Sequence, residues 1–295
     1  MRSKEAFIDS KGGHNSSSFD LILSSPAKVN LFFRVLSKRL DGFHEIASLY
    51  QAISLFDTIC IRKSAIHSIT STDPSLTHDP SNLVYKAADL FFQKTGFFIP
   101  VHIHLIKRIP MQAGLGGGSG NAATVLWGLN TLFGSKVDEK DLSSWSSALG
   151  CDVPFFFSPG TAYCTGKGDV FIKEDLPSVE GEVTIIKPAE NLPTPLVYRH
   201  CNPQDFIQRD PQISLKTFSI QQGPFYNDLE IPACSLLPSL QGLKDRLIAA
   251  GFSHVLLSGS GTAFFCLGIP HTFSFADCLV KKVRFIQRTH TGWYE

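Results

Sequence analysis

The chain has 295 residues, 43% of them hydrophobic, enough apolar material for one large domain or two of ordinary size. Lys and Arg total 27 against 26 Asp and Glu, a net charge of +1. That balance excludes bulk electrostatic attraction to nucleic acid or an anionic membrane as the basis of function. The seven cysteines (Cys60, Cys151, Cys164, Cys201, Cys234, Cys266 and Cys278) are odd in number and widely spaced, with no Cys-x-x-Cys pair. Inert thiols in a reducing compartment are expected, rather than a disulfide framework or a zinc knuckle. No run approaches the roughly 18 apolar residues of a membrane span. Residues 1–20 are polar, lack the apolar stretch of a signal peptide and are expected to form a mobile leader on a cytoplasmic protein.

In chain order, Leu21–Leu23 and Pro26–Val35 read as strand from their β-branched and aromatic content. Asp41-Gly42-Phe43-His44 is a turn, followed by two strands at Ile46–Ile53 and Asp57–Arg62 and a loop-rich Ser64–Pro80. Leu83, Val84, Ala87, Ala88 and Phe91 lie on one face of a helix over Asn82–Lys94, with Ser81 or Asn82 as its cap. Val101–Ile106 alternates as a strand whose wetter face carries His102 and His104. No third ligand stands at matching spacing, so these histidines do not read as a metal site. Helices are expected at Gly120–Phe133, near Asp138–Leu149, at Leu236–Ala250 and at Phe275–Val283. Strands are expected at Val183–Pro188, His254–Leu257, Ala263–Leu267 and from Val283. Asn191–Gly223 reads as a connection with short helical pieces. Strands and helices mix without strict alternation, which predicts α+β. A polar stretch at Lys173–Gly181 suggests domains at 21–178 and 179–295.

The most informative segment is Pro110-Met111-Gln112-Ala113-Gly114-Leu115-Gly116-Gly117-Gly118-Ser119, between a strand and an amphipathic helix. Glycines there permit positive φ angles and close approach of a ligand to the main chain. The helix that follows directs unpaired N–H groups and its positive dipole end at that ligand, which suits an oligophosphate. Ser119 adds a hydroxyl for a phosphate oxygen or a metal ion. The Gly-Lys-Ser/Thr ending of a Walker loop is absent, and the glycine spacing does not match the dinucleotide fingerprint. The cation must therefore come from elsewhere in the chain.

This loop resembles the ATP-binding motif of the GHMP kinases. Pro26-Ala27-Lys28-Val29-Asn30-Leu31 is similar to their first motif and Ser258-Gly259-Ser260-Gly261 to their third, so the resemblance covers nearly the whole chain. Within that superfamily, Arg39–His44, Leu149–Phe156, Pro193-Thr194-Pro195 and Asn227–Glu230 resemble the members that phosphorylate a cytidine-diphosphate-linked methylerythritol on the non-mevalonate route to isoprenoids. The implied fold pairs an N-terminal domain like the second domain of ribosomal protein S5 with a C-terminal ferredoxin-like domain. The implied donor is ATP with Mg2+, held by residues 110–119, Gly120 and Asn82; the metal ligands are not implied. Asp152 is the implied catalytic base and Lys28 the cation beside it, with Asn30 on the same strand face. Phe43, His44 and Tyr198 are the implied cytosine clamp, Phe43 standing where the family commonly has Tyr. Gly120 stands where a second Ser is frequent, and Cys151 where Ala is common. A mevalonate or homoserine acceptor is the alternative, against which the Asp41–His44 turn argues. A non-catalytic binding protein is a further one, against which Lys28 and Asp152 argue.

Overall fold

The computed structural model describes residues 18–76, 80–97, 99–172, 176–177, 179–271, 275–288 and 293–294. Most of the expected leader therefore lies outside the described residues. Its end is anchored: the Phe19 ring stacks against His102 at 6.0 Å, and the Asp20 N–H donates to the Ile61 carbonyl.

The first sheet is built on two long strands, β1 (Leu21–Lys38) and β2 (His44–Lys63), joined by the Asp41-Gly42 turn. Ala27–Val35 is buried without interruption, because both faces of β1 are covered, and this is why its alternation is weak in the sequence. The two strands expected within 46–62 are one. At the expected break the pairing skips from Pro26↔Phe56 to Ala27↔Ile53, so Ser54 and Leu55 form a bulge that bends the strand without ending it. A second bulge, between Asn30↔Tyr50 and Phe32↔Leu49, lies beside the polar residues described below.

Short β3 (Ser68–Ser71) appears inside the stretch expected to be loop. It pairs in parallel with β4 (Val101–Ile106), where its Ser68 and Thr70 hydroxyls meet His102 and His104. Helix α1 (Leu83–Thr95) is capped by the Asn82 side chain, which accepts from the Val84 N–H, and is closed by left-handed Gly96. Helix α2 (Gly117–Leu132) packs on α1, β1 and β2; it starts three residues earlier than expected. Helix α3 (Glu139–Ser146), a short 3-10 turn at Pro154–Phe157, and the hairpin of β5 (Thr161–Thr165) and β6 (Val170–Ile172) complete this part. The hairpin, absent from the sequence reading, attaches to β2 through β5.

The second sheet begins at β7 (Glu182–Pro188). Helices α4 (Thr194–Arg199) and α5 (Pro211–Thr217) lead to β8 (Tyr226–Asn227), which returns to the first sheet and pairs in parallel with β1. Then come α6 (Glu230–Leu236), α7 (Ser239–Ala249), β9 (His254–Leu257), β10 (Phe264–Leu267) and β11 (Cys278–Arg284). The helix expected over 236–250 is α7, which starts a little later, at Ser239 with Pro238 as its N-cap, Leu236 being the end of α6. The helix expected over 275–283 is strand β11, paired along its length with β7. Its Val280 and Val283 lean inward while Leu279, Lys281 and Lys282 are exposed, a half-wet edge whose polar content imitates a helix.

The strand order β11-β7-β10-β9, antiparallel throughout, is the ferredoxin-like order. Among the described residues, the β10–β11 connection carries no helix. The first sheet runs β3-β4-β2-β1-β8, and the α+β expectation holds. No helix of the described residues is long and apolar enough to cross a membrane.

Candidate active site

A cleft of about 480 Å³ opens between the two sheets, walled by residues 110–119, Lys28, Tyr50, Asn82, Lys107, Asn121, Asp152, Thr194, Tyr198 and Ser260, among others. Its floor is the glycine loop. Gly116 has φ 67° as the N-cap of α2, a left-handed conformation that favours glycine. Gly117, Gly118 and Ser119 are the first turn of the helix rather than loop, so their N–H groups have no intrahelical acceptor. Gly120 faces the other way: a Cβ there would lie 2.6 Å from the Pro26 carbonyl oxygen. Close packing on β1 thus explains the glycine at this place, and Gly120 does not wall the cleft.

The back of the loop is bolted to the turn between β9 and β10. A Cβ on Gly261 would sit 2.0 Å from the Gly114 nitrogen, and one on Gly114 would sit 1.8 Å from the Ser258 carbonyl oxygen. The Ser258 hydroxyl donates to the Gly114 carbonyl at 3.0 Å and the Ala263 N–H to the Ala113 carbonyl at 3.1 Å. The third motif therefore supports the loop by backbone contact. Asn227 holds that turn in place, its amide donating to the Leu257 and Gly259 carbonyls at 2.8 and 2.7 Å. Asp228 pairs with buried Arg34, and Glu230 accepts from the Leu257 N–H while pairing with Lys244. Asn227 thus joins the two sheets, Asp228 ties the end of β8 to β1, and Glu230 ties α6 to α7 and β9.

On the cleft wall, Lys28 Nζ lies 2.7 Å from Asn30 Oδ1 and 3.4 Å from Asp152 Oδ2. Asn30 donates in turn to the Ser48 hydroxyl at 2.9 Å. Lys28 is 3% exposed, whereas the Asp152 side chain is 32% exposed, so the pair is buried on the lysine side and open on the carboxylate side. Asp152 sits in the turn before the 3-10 segment and is reached by the Tyr50 hydroxyl, 3.0 Å from Oδ1. Tyr50 was not singled out from sequence. An aromatic on a buried strand reads as core, and only the pairing Asn30↔Tyr50 puts it on the face that carries Lys28. Burial, with the Asp152 charge second, pushes Tyr50 ionisation well above its ordinary value of 10.0.

Lys107 was missed as well. It pairs with Asp57, which is fully buried and also accepts from the Arg108 and Ile109 N–H groups at 2.7 and 2.8 Å and from the Asn121 amide at 3.0 Å. The entry to the glycine loop is pinned by this carboxylate. Asn82 lines the cleft while also capping α1.

His44 and Tyr198 meet at 5.3 Å between ring centroids, tilted by 34°. His44 Nε2 is buried without a partner, and burial, then Lys38, holds the ring below its ordinary 6.5. Phe43 is 53% exposed, under the Lys167 ammonium at 5.3 Å. The structure thus brings His44 and Tyr198 together; of the three, Tyr198 lines the cleft, while Phe43 stands exposed beside His44 in the chain and outside the cleft lining. Among the described residues no group of three or more His, Cys, Asp or Glu is placed to hold a metal ion, and all seven cysteines are free.

Residues 82–160, from the start of α1 through the 3-10 turn, match the family described as the GHMP kinases N terminal domain, a class of small-molecule kinases. A 4-diphosphocytidyl-2-C-methyl-D-erythritol kinase from Protochlamydia amoebophila (strain UWE25) is 44% identical over 282 residues, which is 95% of this chain and 94% of its own. A crystal structure of 4-(cytidine 5'-diphospho)-2C-methyl-D-erythritol kinase matches with a TM-score of 0.76 at 34% identity, covering 90% of this chain and 99% of its own. The homoserine kinase from Cytophaga hutchinsonii, 18% identical with a TM-score of 0.67 over 94% of this chain and 98% of its own, shares the fold. This chain belongs to the 4-diphosphocytidyl-2-C-methyl-D-erythritol kinase family of the GHMP kinases.

Proposed function

We propose that the protein transfers the γ-phosphoryl group of ATP to a hydroxyl of 4-diphosphocytidyl-2-C-methyl-D-erythritol, giving the 2-phosphate and ADP on the non-mevalonate route to isoprenoids. The observation that carries the residue assignment is the half-open Lys28–Asp152 pair facing the first turn of α2 across one cleft. Asp152 accepts the proton of the acceptor hydroxyl as its oxygen bonds to the γ-phosphorus and the bond to the β-phosphate oxygen breaks. Lys28 offsets the negative charge gathered there, and Asn30 fixes the Lys28 ammonium.

In this reading the Gly117, Gly118 and Ser119 N–H groups receive the phosphates. Pro110–Gly116 shapes the loop, and Asn82 borders the nucleotide. His44 Nε2 is buried without a protein partner and, as the acceptor nitrogen of the neutral ring, takes a hydrogen bond from the cytosine amino group, with Tyr198 on a ring face and Phe43 beside His44. Mg2+ would be held through the nucleotide phosphates and retained waters, with the Ser119 hydroxyl as a protein oxygen available to it, and would offset the phosphate charge; no group of three or more His, Cys, Asp or Glu among the described residues forms a protein cage for it. Residues 21–178 form the nucleotide-binding and catalytic domain and 179–295 the substrate-side domain. Seven free thiols suit a cytoplasmic location.

The test is turnover. Purified protein with ATP and Mg2+ produces ADP in step with the phosphorylated cytidyl product. No turnover on that substrate, with activity on mevalonate or homoserine, would sink the assignment.

A further inference from the structure

One side chain touches both groups assigned to the chemistry. The Tyr50 hydroxyl donates to Asp152 Oδ1 at 3.0 Å, and the Lys28 ammonium sits 4.8 Å from the centroid of the Tyr50 ring. The ring itself is fixed. It is 2% exposed and wedged between Phe155 at 5.4 Å, on the turn after Asp152, and Phe171 at 5.5 Å on β6. Asp152 has no comparable support, standing in a turn with its side chain part-exposed. A carboxylate with two equivalent oxygens rotates unless something distinguishes them.

Resting on the functional reading above, we propose that Tyr50 is a positioning residue for the catalytic base: its O–H occupies Oδ1 and so presents Oδ2, on the Lys28 side, to the acceptor hydroxyl. Tyr50 acts through Asp152 and takes no proton itself. Its burial and the neighbouring carboxylate keep it a protonated donor. Tyr198 on α4 and the Cys151 and Cys164 thiols, which also feel the Asp152 charge, are held in their neutral forms mainly by burial. Lys28 and Tyr50 are the polar partners that meet the carboxylate.

Tyr50→Phe separates the hydroxyl from the ring, since it keeps the face under Lys28 and the contacts to Phe155 and Phe171. On the full-length protein at saturating ATP and substrate, kcat is expected to fall about tenfold, while both KM values stay within about twofold. In an Asp152→Asn background the same change leaves the residual kcat unaltered, because the group it orients is gone. Replacing Tyr50 with p-aminophenylalanine, which retains a donor at the same place, restores kcat to within about threefold of the starting protein. An unchanged or raised kcat in Tyr50→Phe, a loss carried by KM, an equal loss in both backgrounds, or no rescue by the amino analogue overturns the proposal. If Tyr50→Phe does not fold, the amino analogue decides alone: normal kcat supports the donor role and a loss refutes it. Full activity in Asp152→Asn would instead refute the base assignment itself.

Discussion

Two lysine–aspartate pairs flank the cleft, and they are built for different work. Lys107–Asp57 is closed: Asp57 is fully buried and each oxygen meets two donors. Lys28–Asp152 is half open, with one carboxylate oxygen bound by Tyr50 and the other 3.4 Å from Lys28 beside the cavity. A carboxylate with every lone pair satisfied holds backbone in place and has no capacity left for a substrate proton. One with a free flank can accept that proton. Pairing alone therefore does not single out a candidate catalytic base; incomplete satisfaction at a cavity wall does.

The contrast can be broken by exchanging the consequences of mutation. Asp152→Asn is expected to lower kcat by about 10³- to 10⁴-fold with little change in melting temperature, read from steady-state kinetics and thermal unfolding. Asp57→Asn is expected to cost about 3–5 kcal/mol of stability, because the Lys107 cation loses its buried partner, and to raise KM for ATP as the loop entry loosens. Denaturant unfolding and ATP titration report both. A fall in kcat at unchanged stability in Asp57→Asn would erase the distinction.

A smaller effect tests how the second sheet supports the loop. Gly261→Ala places a methyl against the Ala113–Gly114 backbone, and an overpacked contact of this kind costs about 1–3 kcal/mol. The expected signature is weaker ATP binding with an intact KM for the cytidyl substrate. The smallest expected change concerns His44. Loss of its hydrogen bond in His44→Gln raises the KM of the cytidyl substrate about tenfold, near 1.4 kcal/mol. Because burial depresses the His44 value below 6.5, the neutral ring is the favoured form. Its contribution is complete above pH 6.5 and is lost as pH falls through the lower folded value. KM should therefore rise on acidification in the parent protein and stay flat in the variant.

Much of the site was legible before folding. The strand–loop–helix around 110–132 announced a phosphate cradle, and the missing Walker lysine directed attention to Lys28, which does line the cleft. The errors have physical causes. Strand β11 imitates a helix because Lys281 and Lys282 break the period of two, and its strand form depends on β7, about a hundred residues away in sequence. The β5–β6 hairpin and two-residue β8 went unseen because short strands are defined by the partners they find. Tyr50 and Asp57 looked like ordinary strand residues.

What the sequence by itself determined is what local rules can carry. Glycines open the backbone around 114–118, an amphipathic helix follows, and a cap at Ser81 or Asn82 starts the helix before it. Only tertiary structure decided which aspartate is poised and which is spent. It also decided that Gly114 and Gly261 meet backbone to backbone, and that Tyr50 reaches Asp152 across about a hundred residues of chain. Those outcomes depend on strand register and bulges that bring distant segments within hydrogen-bonding range. Register is a property of the assembled sheet, and no single segment encodes it.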